Sequence, residues 1–421
     1  MFEAIDRCRI CGNPELIRIL DLGEQSLTGV FPRNPDEPVT RGPLQLVKCH
    51  PAASSQSATK PCGLVQLAHS YSAGEMYGEN YGYRSSLNRS MVEHLRTKPP
   101  FLQKLAPPEP GDLILDIGSN DGTTLSFYPA EGLQLVGIDP TSAKFAQYYK
   151  PHIRRIADFF TGELFEREFP GRRAKIVTSI AMFYDLPRPQ VFVNDVARVL
   201  ADDGVWHFEQ SYLPTMLDAL AYDTVCHEHL EYYGLAQVKY LLDHAGLKIV
   251  DLQLNDVNGG SFAVTAAKVG SRLPEASARV AELLQDEERR GLAGLETYRQ
   301  FATDVAKHRD ELRDLLRKLK KEGREILGYG ASTKGNVVLQ YCGVTKEEIP
   351  CIAEVNPDKF GCHTPGTLIP IVSEAAARER KPDYFLVLPW HFKDHIVARE
   401  QAYLQAGGKL LFPLPKLQVI G

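Results

Sequence analysis

The chain is 421 residues long, 43% hydrophobic and 24% charged, with a mean hydropathy of −0.23. At roughly 100–200 residues per domain this implies two or three globular domains that bury their own cores. A net charge of −5 and a pI near 6.2 argue against a surface built to coat nucleic acid. No apolar run reaches the ~18 residues of a membrane span, and the first residues, MFEAIDRCRICG, lack the apolar stretch of a signal peptide, so a cytoplasmic chain is expected.

Four of the eight cysteines fall within the first 62 residues. In a reducing compartment, paired cysteines more often hold a metal than a disulfide. Cys8 and Cys11 are two residues apart and followed by Gly12; Cys49 and Cys62 are separated by a polar insert and followed by Gly63. The first pair sits on a tight turn, and the second can close on the same metal if its insert loops out with its ends kept close; the repeated C-G makes a four-thiolate site of the structural zinc type, with His50 as a possible substitute ligand. A zinc-binding domain over 1–72 is expected.

Prolines at 99–100 and 107–110 then punctuate the chain, and strand and helix alternate. Strands are expected at Leu113–Ile117, Leu133–Ile138, Lys175–Ile180 and Gly204–Glu209, with a helix after the first. The alternation implies a parallel sheet, an α/β domain over 73–270. In such folds ligands gather beyond the carboxyl ends of the strands. Residues 116–122, DIGSNDG, form a loop there, and Asp139 ends the next strand. The dinucleotide fingerprint G-x-G-x-x-G is absent. The loop instead resembles motif I of class I methyltransferases. That resemblance places Asp116 and Asn120 on the amino-acid part of S-adenosylmethionine, Gly118 where the cofactor needs room, Asp139 on its ribose, and Asp158 with Phe159 near its adenine.

Residues 226–233, CHEHLEYY, concentrate proton-transfer groups. Histidine accepts a proton near neutral pH and a neighbouring carboxylate can orient it. Metal binding by His227 and His229 is the weaker alternative, because no further ligand stands nearby.

From 272 to about 322 the leucine spacing predicts one or two long helices. A second alternating region follows, with strands at Ile326–Tyr329, Pro350–Glu354, Tyr384–Leu388 and Lys409–Phe412. Gly330–Asn336 reads as a small-residue loop opening a helix, where exposed amides and Lys334 favour an anion. It is not a P-loop. This makes 271–421 a second Rossmann-like domain behind linker helices.

The order of cysteine knuckles, Gly63–Leu67 (GLVQL), Tyr81–Ser86 (YGYRSS), DIGSNDG, H-E-H-x-x-Y-Y and Gly328–Asn336 (GYGASTKGN) resembles the sugar C-methyltransferases of deoxysugar pathways over nearly the whole chain. The resemblance implies methylation at C3 of a TDP-, GDP- or CDP-linked 4-keto-6-deoxyhexose through an enolate. His229 is then the base and Glu228 its neighbour, with Tyr81 and Tyr83 in the substrate segment. Tyr222, Ser332, Lys334 and Asn336 are expected on the nucleotide sugar, and the chain is expected to be a monomer or weak oligomer. Two departures from the family stand out. Cys226 occupies a tyrosine position, and Tyr184-Asp185-Leu186-Pro187 replaces a histidine-containing segment, which makes Cys226 and Tyr184 candidate helpers. A sugar O-methyltransferase, or a sugar-nucleotide binding protein without catalysis, are the rival readings.

Overall fold

A computed structural model describes residues 2–51, 61–77 and 83–421. Its centre is a seven-stranded sheet in the order Leu247–Asn255, Ser261–Lys268, Leu200–Ser211, Ala174–Ile180, Leu113–Ile117, Gln134–Ile138, Ile153–Ile156. The strand Leu113–Ile117 sits inside the sheet and all five of its residues are buried, as an apolar run with neighbours on both sides should be. The first topological switch point falls here, so the DIGSNDG loop opens at the carboxyl edge where a crevice forms.

One strand departs from the parallel pattern. Ser261–Lys268 runs antiparallel to both its neighbours. It follows a tight connection in which Asn258, Gly259 and Gly260 all have positive φ (56°, 92° and 115°). Two glycines and an asparagine are the residues that adopt such angles without penalty, so the chain reverses here instead of crossing over. The helix expected after DIGSNDG does not form; a single 3-10 turn, Leu125–Phe127, takes its place. Asp121 explains this locally. Its carboxylate accepts from the Thr123 amide (3.2 Å) and hydroxyl (2.5 Å), a side-chain turn that competes with helix, and Pro129 ends the segment.

The second α/β sheet has the order Ile371–Ser373, Ile352–Glu354, Ile326–Tyr329, Tyr384–Val387, Lys409–Phe412, Gln418–Ile420, with only the last pair antiparallel. Cys342, Cys351 and Cys362 pack in its core. The helices Ser277–Arg289 and Glu296–Lys321 precede it. Along the second, Tyr298, Phe301, Val305, His308, Leu312, Leu316 and Leu319 recur at three- and four-residue steps, and that stripe is the buried face.

The N-terminal part forms a four-stranded antiparallel sheet ordered Leu16–Ser26, Arg41–Cys49, Val65–Leu67, Glu231–Tyr232. Its fourth strand comes from the middle of the chain. Residues of this sheet, the stripe of Glu296–Lys321, the segment 213–232 and the C-terminal sheet share one apolar cluster. The segment bearing Glu228 and His229 is therefore clamped between the two outer parts.

Candidate functional site

A cavity of about 410 Å³ opens where the three parts meet. Its wall includes Gly118, Asn120 and Asp139 from the central sheet, Glu228 and His229 from the clamped segment, and Lys334, Lys359 and His391 from the C-terminal sheet.

The central-sheet end is acidic. Asp116 is buried and accepts from the Thr178 hydroxyl at 2.5 Å. Burial pushes its carboxyl up to about 7; the Thr178 bond opposes this, and Asp139 and Asp121 add to it. A cationic ligand would relieve that cost, and S-adenosylmethionine carries both an ammonium and a sulfonium. Gly118 has φ 73°, and a Cβ there would stand 2.8 Å from Met182 Cγ, so the bend is reserved for glycine. Asp139 accepts from the Asn120 amide (2.8 Å) and from the Thr141 amide and hydroxyl (both 2.6 Å), fixing the loop while bordering the cavity. Asn120 Oδ1 accepts from the Ser85 amide at 3.0 Å and its Nδ2 donates to the Tyr83 carbonyl at 3.3 Å, drawing residues 83–88 over this end. Tyr83 and Phe159 border the cavity. Asp158 does not; it is exposed, and its carboxylate accepts from the Phe159 amide at 2.8 Å.

The opposite end is basic. Ser332 caps the helix Thr333–Tyr341 by accepting from the Gly335 amide at 3.0 Å. Lys334 Nζ donates to the Asn258 carbonyl at 3.0 Å, and Lys359 Nζ to the Ala331 carbonyl at 2.8 Å. Asn336 is on the far side of its helix, fully buried, donating to the Thr28 carbonyl at 2.7 Å, and does not border the cavity.

Between these ends stand the proton-transfer groups. His229 Nδ1 lies 2.8 Å from the Thr224 carbonyl. A carbonyl can only accept, so Nδ1 carries the proton and Nε2 a lone pair. Burial first, then the Lys334 charge, hold the imidazole down to about 3, so it is neutral. Its ring packs 4.3 Å from that of Tyr184. Burial raises Glu228 to about 7 against the pull of Lys359. Burial likewise keeps the Cys226 thiol and Tyr184 phenol protonated. His227 turns the other way, buried against Tyr71 with ring centroids 4.6 Å apart. Tyr222 is also lost to the cavity. Its hydroxyl donates to His308 Nδ1 at 3.1 Å in the core between the N- and C-terminal sheets, where the 222–224 turn buries it. Tyr81 lies outside the described residues. Lys359, His391 and Asp185 border the cavity without having been singled out as site residues; only the position of Lys359 and His391 at strand ends pointed to them.

A second centre lies in the N-terminal part. The four Sγ atoms of Cys8, Cys11, Cys49 and Cys62 lie within 4.8 Å of one another, the Cys8–Cys62 and Cys11–Cys49 pairs at 3.5 Å. Zinc bonded to four thiolates at about 2.3 Å separates them by about 3.8 Å, so the cage fits the ion. His50 is outside it, its Nδ1 2.8 Å from the Pro51 carbonyl.

Comparison with known proteins agrees with this division. A zinc binding domain family matches residues 8–77, a methyltransferase domain family 90–252, and a C-methyltransferase C-terminal domain family 256–415. The C-methyltransferase NovU of Streptomyces niveus is 32% identical over 420 residues, covering 99% of this chain and 97% of that one. Among solved structures, the YcgJ protein of Bacillus subtilis is 18% identical, covering 42% of this chain and 98% of that one with a TM-score of 0.31. The plantazolicin methyltransferase BpumL, in complex with SAH, is 12% identical and covers 41% of this chain and 82% of that one, with a TM-score of 0.33. No helix among the described residues is long and apolar enough to cross a membrane. The chain belongs to the family of S-adenosylmethionine-dependent C-methyltransferases with an N-terminal zinc-binding domain, of which NovU is a member.

Proposed function

We propose that the enzyme methylates C3 of a nucleotide-linked 4-keto-6-deoxyhexose through an enolate, with His229 as the base. The observation that carries this reading is the tautomer of His229: Nδ1–H is committed to the Thr224 carbonyl at 2.8 Å, which leaves Nε2 unprotonated on a cavity-lining residue. A ketone at C4 acidifies the C3 proton, and a neutral imidazole can take it. S-adenosylmethionine, when bound, supplies the electrophilic methyl group.

The polarity of the cavity supports the orientation. Asp116, Gly118, Asn120 and Asp139 would hold the cationic cofactor, with Tyr83 and Phe159 beside it. Ser332, Lys334 and Lys359 would hold the diphosphate of the sugar nucleotide. A dianion next to Lys334 offsets the charge that helps depress His229, so substrate binding strengthens the base. Glu228, the preceding residue, lines the same cavity and faces the charge of Lys359. Tyr184 and Cys226, both neutral, complete the wall without competing for the proton.

The test uses a TDP-4-keto-6-deoxyhexose in D₂O. The wild-type enzyme exchanges the C3 proton and transfers methyl to the same carbon. His229→Asn abolishes both while S-adenosylmethionine still binds. Full activity in that variant would overturn the assignment of the base, and equal methylation of the 4-hydroxy sugar would overturn the enolate.

A further inference from the structure

The loop that presents Glu228 and His229 is joined to the cysteine cage by an unbroken chain of contacts. Two residues after His229, Glu231–Tyr232 pairs with Val65–Leu67, Glu231 opposite Gln66 and Tyr232 opposite Val65. The Leu67 amide donates to the Leu230 carbonyl at 2.9 Å. Val65 itself is three residues beyond Cys62.

The other pair of cysteines reaches the same place through Arg9, which lies inside the Cys8–Cys11 turn. That turn is closed by the Gly12 amide donating to the Cys8 carbonyl at 2.9 Å. The Arg9 side chain points inward and is 3% exposed. Its Nη1 donates to the Leu67 carbonyl at 2.6 Å, and its Nη2 to the His69 carbonyl at 3.0 Å and the Ser70 hydroxyl at 2.8 Å. Its backbone amide donates to Gln66 Oε1 at 3.1 Å. Its Nε faces Glu231 Oε1 at 3.7 Å, and the Glu231 side chain is fully buried. Burial pushes the Glu231 carboxyl well above its usual range and the Arg9 charge opposes this, so the buried acid depends on the guanidinium beside it. Arg9 supplies the cation only while the turn that carries it is held in shape, and a metal bonded to all four thiolates fixes that turn against Cys49 and Cys62.

We propose that Arg9 is a positioning residue that couples metal occupancy of the cysteine cage to the geometry of the loop bearing Glu228 and His229. The zinc site then sets the active site as well as closing its own domain. The coupling rests on the reading that this loop acts in catalysis, but its structural half can be measured without that reading.

The experiment is hydrogen exchange on the zinc-loaded enzyme, wild type against Arg9→Gln and Arg9→Gln/Glu231→Gln, with zinc counted by mass spectrometry. Arg9→Gln is expected to keep one zinc per chain and to bind S-adenosylmethionine as the wild type does. Exchange in 222–233 rises about tenfold while 8–12 stays protected, as local opening does. Turnover falls through kcat at an unchanged KM for S-adenosylmethionine. The double variant, which also removes the buried acid left without its partner, regains much of the protection. Stripping zinc from the wild type with a chelator loosens 222–233 as well. Unchanged exchange in 222–233 with zinc retained would overturn the coupling, as would a uniform loosening that includes zinc loss. If 222–233 loosens and turnover is unaffected, the coupling stands and the catalytic reading of the loop falls.

Discussion

Glu228 should make the folded protein less stable as pH rises, and replacing it should remove that cost. Burial lifts its folded-state value to about 7 from an ordinary 4.5. Between those values the unfolded chain has lost the proton and the folded one has kept it, so unfolding stability falls with pH and levels off above 7. The shift of about 2.5 units corresponds to about 3 kcal/mol at 1.36 kcal/mol per unit. Because Glu228 is only partly buried and borders the cavity, solvent screening reduces this to about 2 kcal/mol. Glu228→Gln keeps the shape and removes the ionisation. Paired urea melts should show the variant about 2 kcal/mol more stable than wild type at pH 8 and within about 1 kcal/mol at pH 5. The same variant should lose turnover, the usual conflict between stability and a strained functional group. A stability gap of equal size at both pH values, or a less stable variant at pH 8, would refute the reasoning.

Other outcomes follow from contacts around the site. Gly29→Ala places a Cβ 2.1 Å from Glu228 Oε1, so Glu228 must move by about an ångström and turnover should fall by about 100-fold with cofactor affinity intact; steady-state kinetics beside calorimetry separates the two. Gly118→Ala meets Met182 Cγ at 2.8 Å and forces alanine to φ 73°, a strain of about 1–2 kcal/mol that should weaken S-adenosylmethionine binding by about tenfold in calorimetry. Glu209, buried, accepts from His94 Nε2 at 2.6 Å and pairs with Lys98. Burial favours its neutral form, but these partners prevail and bring it down to about 2. Its contribution is therefore present above pH 4.5 and lost as pH falls toward 2. Glu209→Gln should cost about 3–5 kcal/mol at pH 7, a gap that narrows between pH 5 and pH 3 in denaturation curves.

Local chemistry was legible in the sequence and long-range burial was not. DIGSNDG could be placed because glycines and a strand-ending acid constrain a loop by themselves, and Ile326–Tyr329 and Lys409–Phe412 appear with the bounds their apolar runs imply. The cysteine cage was readable from the tight Cys8–Cys11 spacing and the repeated Cys-Gly after Cys11 and Cys62. Tyr222 and Asn336 were misplaced for the opposite reason. Their partners, His308 and Thr28, are 86 and 308 residues away, and nothing local marks a side chain as turned into such a contact. The antiparallel strand Ser261–Lys268 did carry a local signal, Asn258-Gly259-Gly260 between two alternating runs. It was hidden by the expectation that a parallel sheet continues as it began. The helix after DIGSNDG failed because side-chain turns at Asp121 outcompete helix, a preference visible in the residues once the loop is seen to need it.

The borrowed strand Glu231–Tyr232 has a consequence for how the protein must be made. All three residues of Val65–Leu67 are buried, and among the described residues one flank of that strand is paired only by a segment translated some 165 residues later. A nascent chain that has bound its zinc still displays an unpaired, apolar sheet edge until residue 232 has emerged and docked. Such edges recruit other strands. A fragment ending at residue 72 should therefore self-associate even with its metal in place, and adding a peptide that spans 226–236 in trans should restore a monodisperse species.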